Sequence, residues 1–201
     1  MFTSTERIRS DAQSIALYLE SLLSNKYQIP TFQRDVVWEK ENVKKLWDSI
    51  YKFYPLGSIL IWKTNTKLES HREIGGLKFA DNFHSNEYQY ILDGQQRTTS
   101  LLTSIYGGKI ANNENFNPTL YIDLTIEHTD AIDDTSYTKR FLFWDEIDDK
   151  EGQLKANTRK TKRYQDKLIV SLLDIINKYR EIEKTFIRVL MENTIILTYN
   201  N

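Results

Sequence analysis

The 201-residue chain has no cysteine, which removes disulfides and thiolate chemistry and allows a reducing interior. It has no long apolar run and no signal-peptide pattern, so a membrane span is not expected and the cytoplasm is the default location. The three histidines, His71, His84 and His128, lack ligand spacing, and no HExxH or Cys/His cluster occurs, which argues against a zinc site. GxxxxGK[ST] and GxGxxG are both missing, excluding a P-loop or a Rossmann fingerprint, and no GxSxG elbow marks an acyl-transfer nucleophile. Neither an internal repeat nor a low-complexity tract is present. Net charge is nearly absent as well: the formal value of -1 does not favour a strong duplex-DNA binder.

What is there suits a folded α/β protein. Apolar content of 40% with 27% charged residues is ordinary for a globular chain long enough to bury a core. Aromatics reach 12%, mostly tyrosine, which suits such a core and can also line a groove. The small net charge hides an asymmetry. Residues 123–149 are acidic, and residues 155–167 are basic through Arg159, Lys160, Lys162 and Arg163. A run of either sign is usually a solvated face; Lys160, Lys162 and Arg163 are the candidates for contact with nucleic-acid backbone.

The informative stretch is residues 88–102. Tyr88 to Leu92 reads as a strand, Asp93-Gly94 breaks it, and Leu101, Leu102 and Ile105 begin an apolar helical stripe that Gly107-Gly108 stops. Asp93, Gly94, Gln95, Gln96, Arg97 and Thr98 therefore fall where a strand turns into a helix. That junction carries unpaired N–H groups and the positive end of the helix dipole. Two readings stand at this point: an anion site in which Arg97 offers a fork to phosphate, and a plain capping turn in which Asp93 caps and Gly94 bends. Asp93 could orient an arginine, bind a metal ion or align a water.

Upstream, Ser10 or Asp11 is expected to cap a helix with Ile15, Leu19, Leu22 and Leu23 on one face, ending near Asn25. A second helix is expected from Glu39 to about Phe53, with Val43, Leu46, Trp47 and Ile50 inward and Lys44, Lys45 and Asp48 outward. Pro55-Leu56-Gly57 reads as a turn and Ser58 to Trp62 as a strand; residues 63–87 read as loop around a short ordered piece. Downstream, 119–126 and 139–144 read as strands, 168–178 and 181–191 as helices, and 194–199 as a strand. Loose alternation of this kind indicates α+β rather than a doubly wound sheet.

Ile29-Pro30-Thr31-Phe32-Gln33-Arg34, Val37-Trp38, Ser49-Ile50, Pro55-Leu56-Gly57-Ser58 and Leu92-Asp93-Gly94-Gln95-Gln96-Arg97-Thr98-Thr99 occur in that order. As an ordered set they resemble the N-terminal domain of GmrSD-type restriction proteins, a family similar to the ParB/sulfiredoxin-like fold. The resemblance implies a mixed sheet flanked by helices: a nucleotide-binding core over 1–130 and a helical C-terminal extension over 131–201, a truncated part of the same domain. It further implies a regulatory domain of prokaryotic DNA restriction and phage defence that binds and hydrolyses a nucleoside triphosphate (GTP, ATP or CTP), with Mg2+ as the accompanying ion.

By matching position, Gln33 and Arg34 would face the nucleotide from the first loop. Gly94, Gln95, Gln96, Arg97 and Thr98 would form the phosphate turn, with Asp93 and Arg97 as the catalytic pair. Pro55, Gly57 and Ser58 would shape the wall between them. The expected partner is an HNH-type nuclease domain or subunit, because this chain carries no HNH motif. The family's Phe-x-x-x-Asn segment after the last strand is missing, so the chain is expected to be a fragment or a reduced relative. A non-catalytic DNA- or partner-binding module of the same system is the alternative, and a scaffold keeping the motifs as relics is a third.

Overall fold

A computed structural model describes residues 10–32, 39–80, 86–108, 116–126, 135–147, 164, 168–178 and 181–182. The first helix, α1, spans Ile15–Leu23 and is capped by Ser14, whose hydroxyl accepts from the Leu17 N–H at 3.3 Å. This corrects the expected start at Ser10 or Asp11, since periodicity fixes the helical face but not which of several cap-competent residues takes the end. Its C-terminus is a Schellman turn: Asn25 adopts φ 60°, its N–H bonds Leu22 O, and the Lys26 N–H bonds Ser21 O. Asn25 thus stops the helix as its tolerance of the left-handed region predicts.

Helix α2, Lys40–Tyr51, ends in the same way, but its left-handed position is held by Phe53, at φ 57° and 96% exposed. The Phe53 N–H bonds Ile50 O and the Tyr54 N–H bonds Ser49 O. A bulky side chain in that conformation is strained, and here burial returns nothing for it.

The central sheet is mixed. Strand β5 (Tyr88–Asp93) lies between β1 (Tyr27–Gln28), which is parallel to it, and β2 (Leu60–Thr64), which is antiparallel. A two-strand hairpin, β3 (Glu73–Ile74) and β4 (Leu77–Lys78), turns at Gly75-Gly76 within the stretch expected to hold one short ordered piece. Helix α3, Gln95–Tyr106, follows β5 after a single residue, and Gly107 terminates it. A second sheet has order β7-β6-β8, from β6 (Leu120–Asp123), β7 (Phe141–Phe143) and β8 (Ile169–Ser171). The architecture is α+β.

Two expectations fail in the second sheet. Lys139 and Arg140 belong to a short helix α4 (Tyr137–Arg140), and the strand begins only at Phe141. Residues 168–178 are not one helix: Ile169–Ser171 pairs with β6, and residues 172–178 are helical. Ser171 divides them, since its hydroxyl accepts from the Asp174 N–H at 3.1 Å and lies 2.9 Å from the Asp174 carboxylate, as a cap does. The segments expected at 183–199 lie outside the described residues.

One continuous core joins both sheets, running from Leu19 and Leu22 of α1 through Ile91, Leu102 and Ile105 to Leu120, Phe141 and Phe143. Each such fully buried side chain contributes about 1.5–3 kcal/mol.

Helix α2 is the seam between the layers. Lys44 and Asp48, expected to point outward, are buried instead. The Lys44 ammonium lies 2.9 Å from the Glu146 carboxylate, while Asp48 receives Arg140 at 3.1 Å and Lys52 at 2.8 Å. Arg140 is 1% exposed and stacks its guanidinium over the Tyr51 ring, 4.5 Å from the centroid. Lys40 bonds Asp145, and the Tyr137 hydroxyl bonds Glu41. Part of the acidic stretch expected to be a solvated face is therefore an ion-paired lock on α2.

Candidate functional site

The strand-to-helix junction is built by a bulge. In the β2–β5 pairing Leu60 opposes Asp93 and Ile61 opposes Ile91, so Leu92 is left over. The inserted residue breaks the in–out alternation: Tyr90 and Ile91 are buried, while Leu92 and Asp93 both turn outward. Gly94 then reverses the chain at φ 93°, and a Cβ there would lie 3.0 Å from Ile59 Cγ1. Glycine is required on both counts.

Gly94 also occupies the N-cap position of α3 and has no side chain with which to make a cap bond. Asp93, the residue that would act in a plain capping turn, instead carries a side chain 71% exposed, with Oδ2 3.6 Å from Arg97 Nη2. So long a contact on an exposed carboxylate holds Arg97 weakly. The firmer anchor is the Leu56 carbonyl, which accepts from Arg97 Nη1 at 2.8 Å.

That bond explains Gly57. The residue sits at φ 78°, and a Cβ on it would come within 2.7 Å of Arg97 Nη1. Its missing side chain is the space in which the guanidinium lies. Ser58, next along, is exposed. Gln95 and Gln96 are half-buried in the first turn of α3.

Thr98 faces the core rather than the turn's outer side. It is fully buried; its N–H and its hydroxyl both donate to Gly94 O at 2.9 Å. Because that hydroxyl proton is committed to Gly94, the 2.6 Å contact between Tyr18 and Thr98 has Tyr18 as donor. A chain Tyr18–Thr98–Gly94 thus runs from α1 to the turn and fixes it from behind. Burial pushes the Tyr18 hydroxyl up to about 12, against the nearby Arg97 charge, which pulls it down.

In front of Arg97 lies an open cleft of about 410 Å³, walled by Asn42, Lys45, Leu46 and Ser49 of α2 and by Pro55 and Leu56 of the loop. Its size falls within the range usual for small-molecule sites. The structure therefore brings together Asp93, Gly94, Arg97 and the Pro55–Gly57 loop. Gln33 and Arg34, the first expected arm, lie outside the described residues, as do Lys160, Lys162 and Arg163. Sequence reasoning missed the α2 wall. Its signal is a polar row at 42, 45 and 49 beside the apolar stripe, which is ordinary helix-surface spacing.

A family model for the GmrSD restriction endonuclease, N-terminal domain, matches residues 19–200. The chain belongs to that family. As a GmrSD N-terminal domain it is a module of the restriction type. The bulged junction and its arginine lie within the matched span. A curated relative, the uncharacterized protein MJ0686 of Methanocaldococcus jannaschii, is 26% identical over 133 residues, which is 64% of this chain. The chain spans 23% of that relative's length. No solved structure matches the chain.

Among the described residues, no group of three or more His, Asp or Glu side chains is placed to hold a metal ion, and no helix is long and apolar enough to cross a membrane. At the junction Asp93 is the carboxylate available to a cation. One exposed carboxylate fits Mg2+ held mainly by phosphate oxygens and water, and does not fit an all-protein cage.

Proposed function

We propose that this GmrSD N-terminal domain binds a nucleoside triphosphate at the β5–α3 junction and hydrolyses it, regulating a restriction system. The observation that carries the reading is the start of α3 on left-handed Gly94, with Arg97 one turn on and held at the cleft. Backbone N–H groups at such a helix start, with its positive dipole, favour phosphate oxygens, and a guanidinium adds paired donors. The capping-turn alternative needs a cap that Asp93 does not make.

Phosphoryl transfer asks chiefly for positioning and charge neutralisation. Arg97 would hold the chain of phosphates. Asp93 would orient the attacking water and accept its proton, as the terminal phosphorus–oxygen bond breaks to leave a nucleoside diphosphate and phosphate. Mg2+, held by Asp93, would supply further neutralisation. DNA, through Lys160, Lys162 and Arg163, and a nuclease domain or subunit are the partners that complete this role.

Calorimetry with GTP, ATP and CTP in Mg2+ tests the reading, with phosphate release followed in parallel. Binding of one of the three is expected, weakened at least tenfold in Arg97→Ala. Wild-type protein that binds none, or a variant that binds equally well, overturns it.

A further inference from the structure

Helix α2 presents Asn42, Lys45, Leu46 and Ser49, spaced i, i+3, i+4 and i+7, as one wall of the cleft whose opposite side holds Arg97. Among the described residues, the cleft walls carry two cations and no carboxylate. The neighbouring lysines of α2 are bound elsewhere: Lys40 to Asp145 and Lys44 to Glu146. Lys45 instead meets Glu41 of its own helix at 3.7 Å, an exposed pair, and Glu41 also accepts the Tyr137 hydroxyl. Such a pair yields readily to a better anion. Ser49 donates its proton to Lys45 O at 2.9 Å, which leaves its oxygen as an acceptor, while Asn42 offers an amide.

Resting on the nucleotide reading, we infer that Lys45 is a second phosphate-binding residue and that the cleft selects ligands bearing two or more adjacent phosphates. A monophosphate can be satisfied by Arg97 and the start of α3 alone. A longer chain of phosphates extends across the cleft to the Lys45 ammonium, a flexible point charge suited to a terminal phosphate. The ion-paired lock on the far face of α2 keeps this wall in place.

The test compares GTP, GDP, GMP and inorganic tripolyphosphate by calorimetry on wild type, Lys45→Met, Lys45→Arg and Arg97→Ala. Lys45 is exposed, so its variants should fold; circular dichroism checks this. The expected result is affinity falling from triphosphate to monophosphate in wild type. Lys45→Met should lose about tenfold on GTP and leave GMP unchanged, with Lys45→Arg restoring most of the loss. Arg97→Ala should weaken every ligand. If Lys45→Met keeps the wild-type preference for triphosphate while Arg97→Ala loses binding, this inference fails and the nucleotide reading stands. If tripolyphosphate binds through Lys45 but no nucleotide does, the cleft serves free polyphosphate and the nucleotide reading fails. Wild type that binds neither tripolyphosphate nor any of GTP, ATP and CTP overturns both.

Discussion

Replacing Gly57 by alanine probes the contact on which the cleft is built. Two costs follow from the geometry. A residue with a Cβ held at φ 78° is strained by about 1–2 kcal/mol. The added methyl group would also stand 2.7 Å from Arg97 Nη1, too close for either to remain, so the guanidinium must move and lose its 2.8 Å bond to Leu56 O. The Arg97 side chain is about three-quarters buried, and a charge-assisted bond in that setting is worth about 1.5–3 kcal/mol. The sum is about 2.5–5 kcal/mol, a large share of the stability of an ordinary domain. Urea unfolding of wild type, Gly57→Ala, Arg97→Met and the double variant separates the two costs. In the Arg97→Met background the alanine should cost only the strain, about 1–2 kcal/mol. Equal cost in both backgrounds would show that Gly57 makes no room for Arg97, and the account of the loop would be wrong.

Other positions give independent checks. Tyr18→Phe should lose about 1 kcal/mol, and Thr98→Val about 1–3 kcal/mol because it strands the Tyr18 hydroxyl; urea midpoints measure both. The Tyr18 hydroxyl is raised to about 12 in the fold from an unfolded 10, so its stabilisation is complete below pH 10 and is lost as pH rises toward 12. That loss is about 2–3 kcal/mol, and the alkaline stability profile of Tyr18→Phe should be flatter by this amount. Phe53→Gly removes left-handed strain at a side chain that packs on nothing, and should stabilise by about 1 kcal/mol, seen as a Tm rise of about 2–4 °C. Asp48→Asn should destabilise by about 3–5 kcal/mol because it takes the buried carboxylate from both Arg140 and Lys52, and more than Arg140→Met, after which Lys52 still pairs Asp48; thermal melts rank the two.

The sequence-legible parts were those written in local chemistry. The Leu101, Leu102 and Ile105 stripe, the glycine stop at Gly107 and the break at Gly94 each follow from side-chain period or from backbone freedom, and each stands where expected. Asn25 ended α1 for the same reason. What local pattern could not supply was the partner. Lys44 and Asp48 read as outward because charged residues on an amphipathic helix usually face water; they are buried because Glu146 and Arg140 meet them from about a hundred residues away. Ile169–Ser171 is apolar enough for either helix or strand, and only pairing with β6 decides it. The bulge at Leu92 is equally invisible, since an extra residue in a ladder is defined by the opposite strand.

The ion pairs among these partner-dependent features converge on α2. One face carries Asn42, Lys45 and Ser49 to the cleft; the other is clamped by Arg140, Glu146 and Asp145 of the second sheet's segment. A shift of that segment therefore cannot leave the cleft wall untouched, because the buried Asp48–Arg140 pair would have to break or carry α2 with it. Breaking a buried ion pair costs about 3–5 kcal/mol. On the nucleotide reading, a displacement of the second sheet would therefore be felt at Lys45.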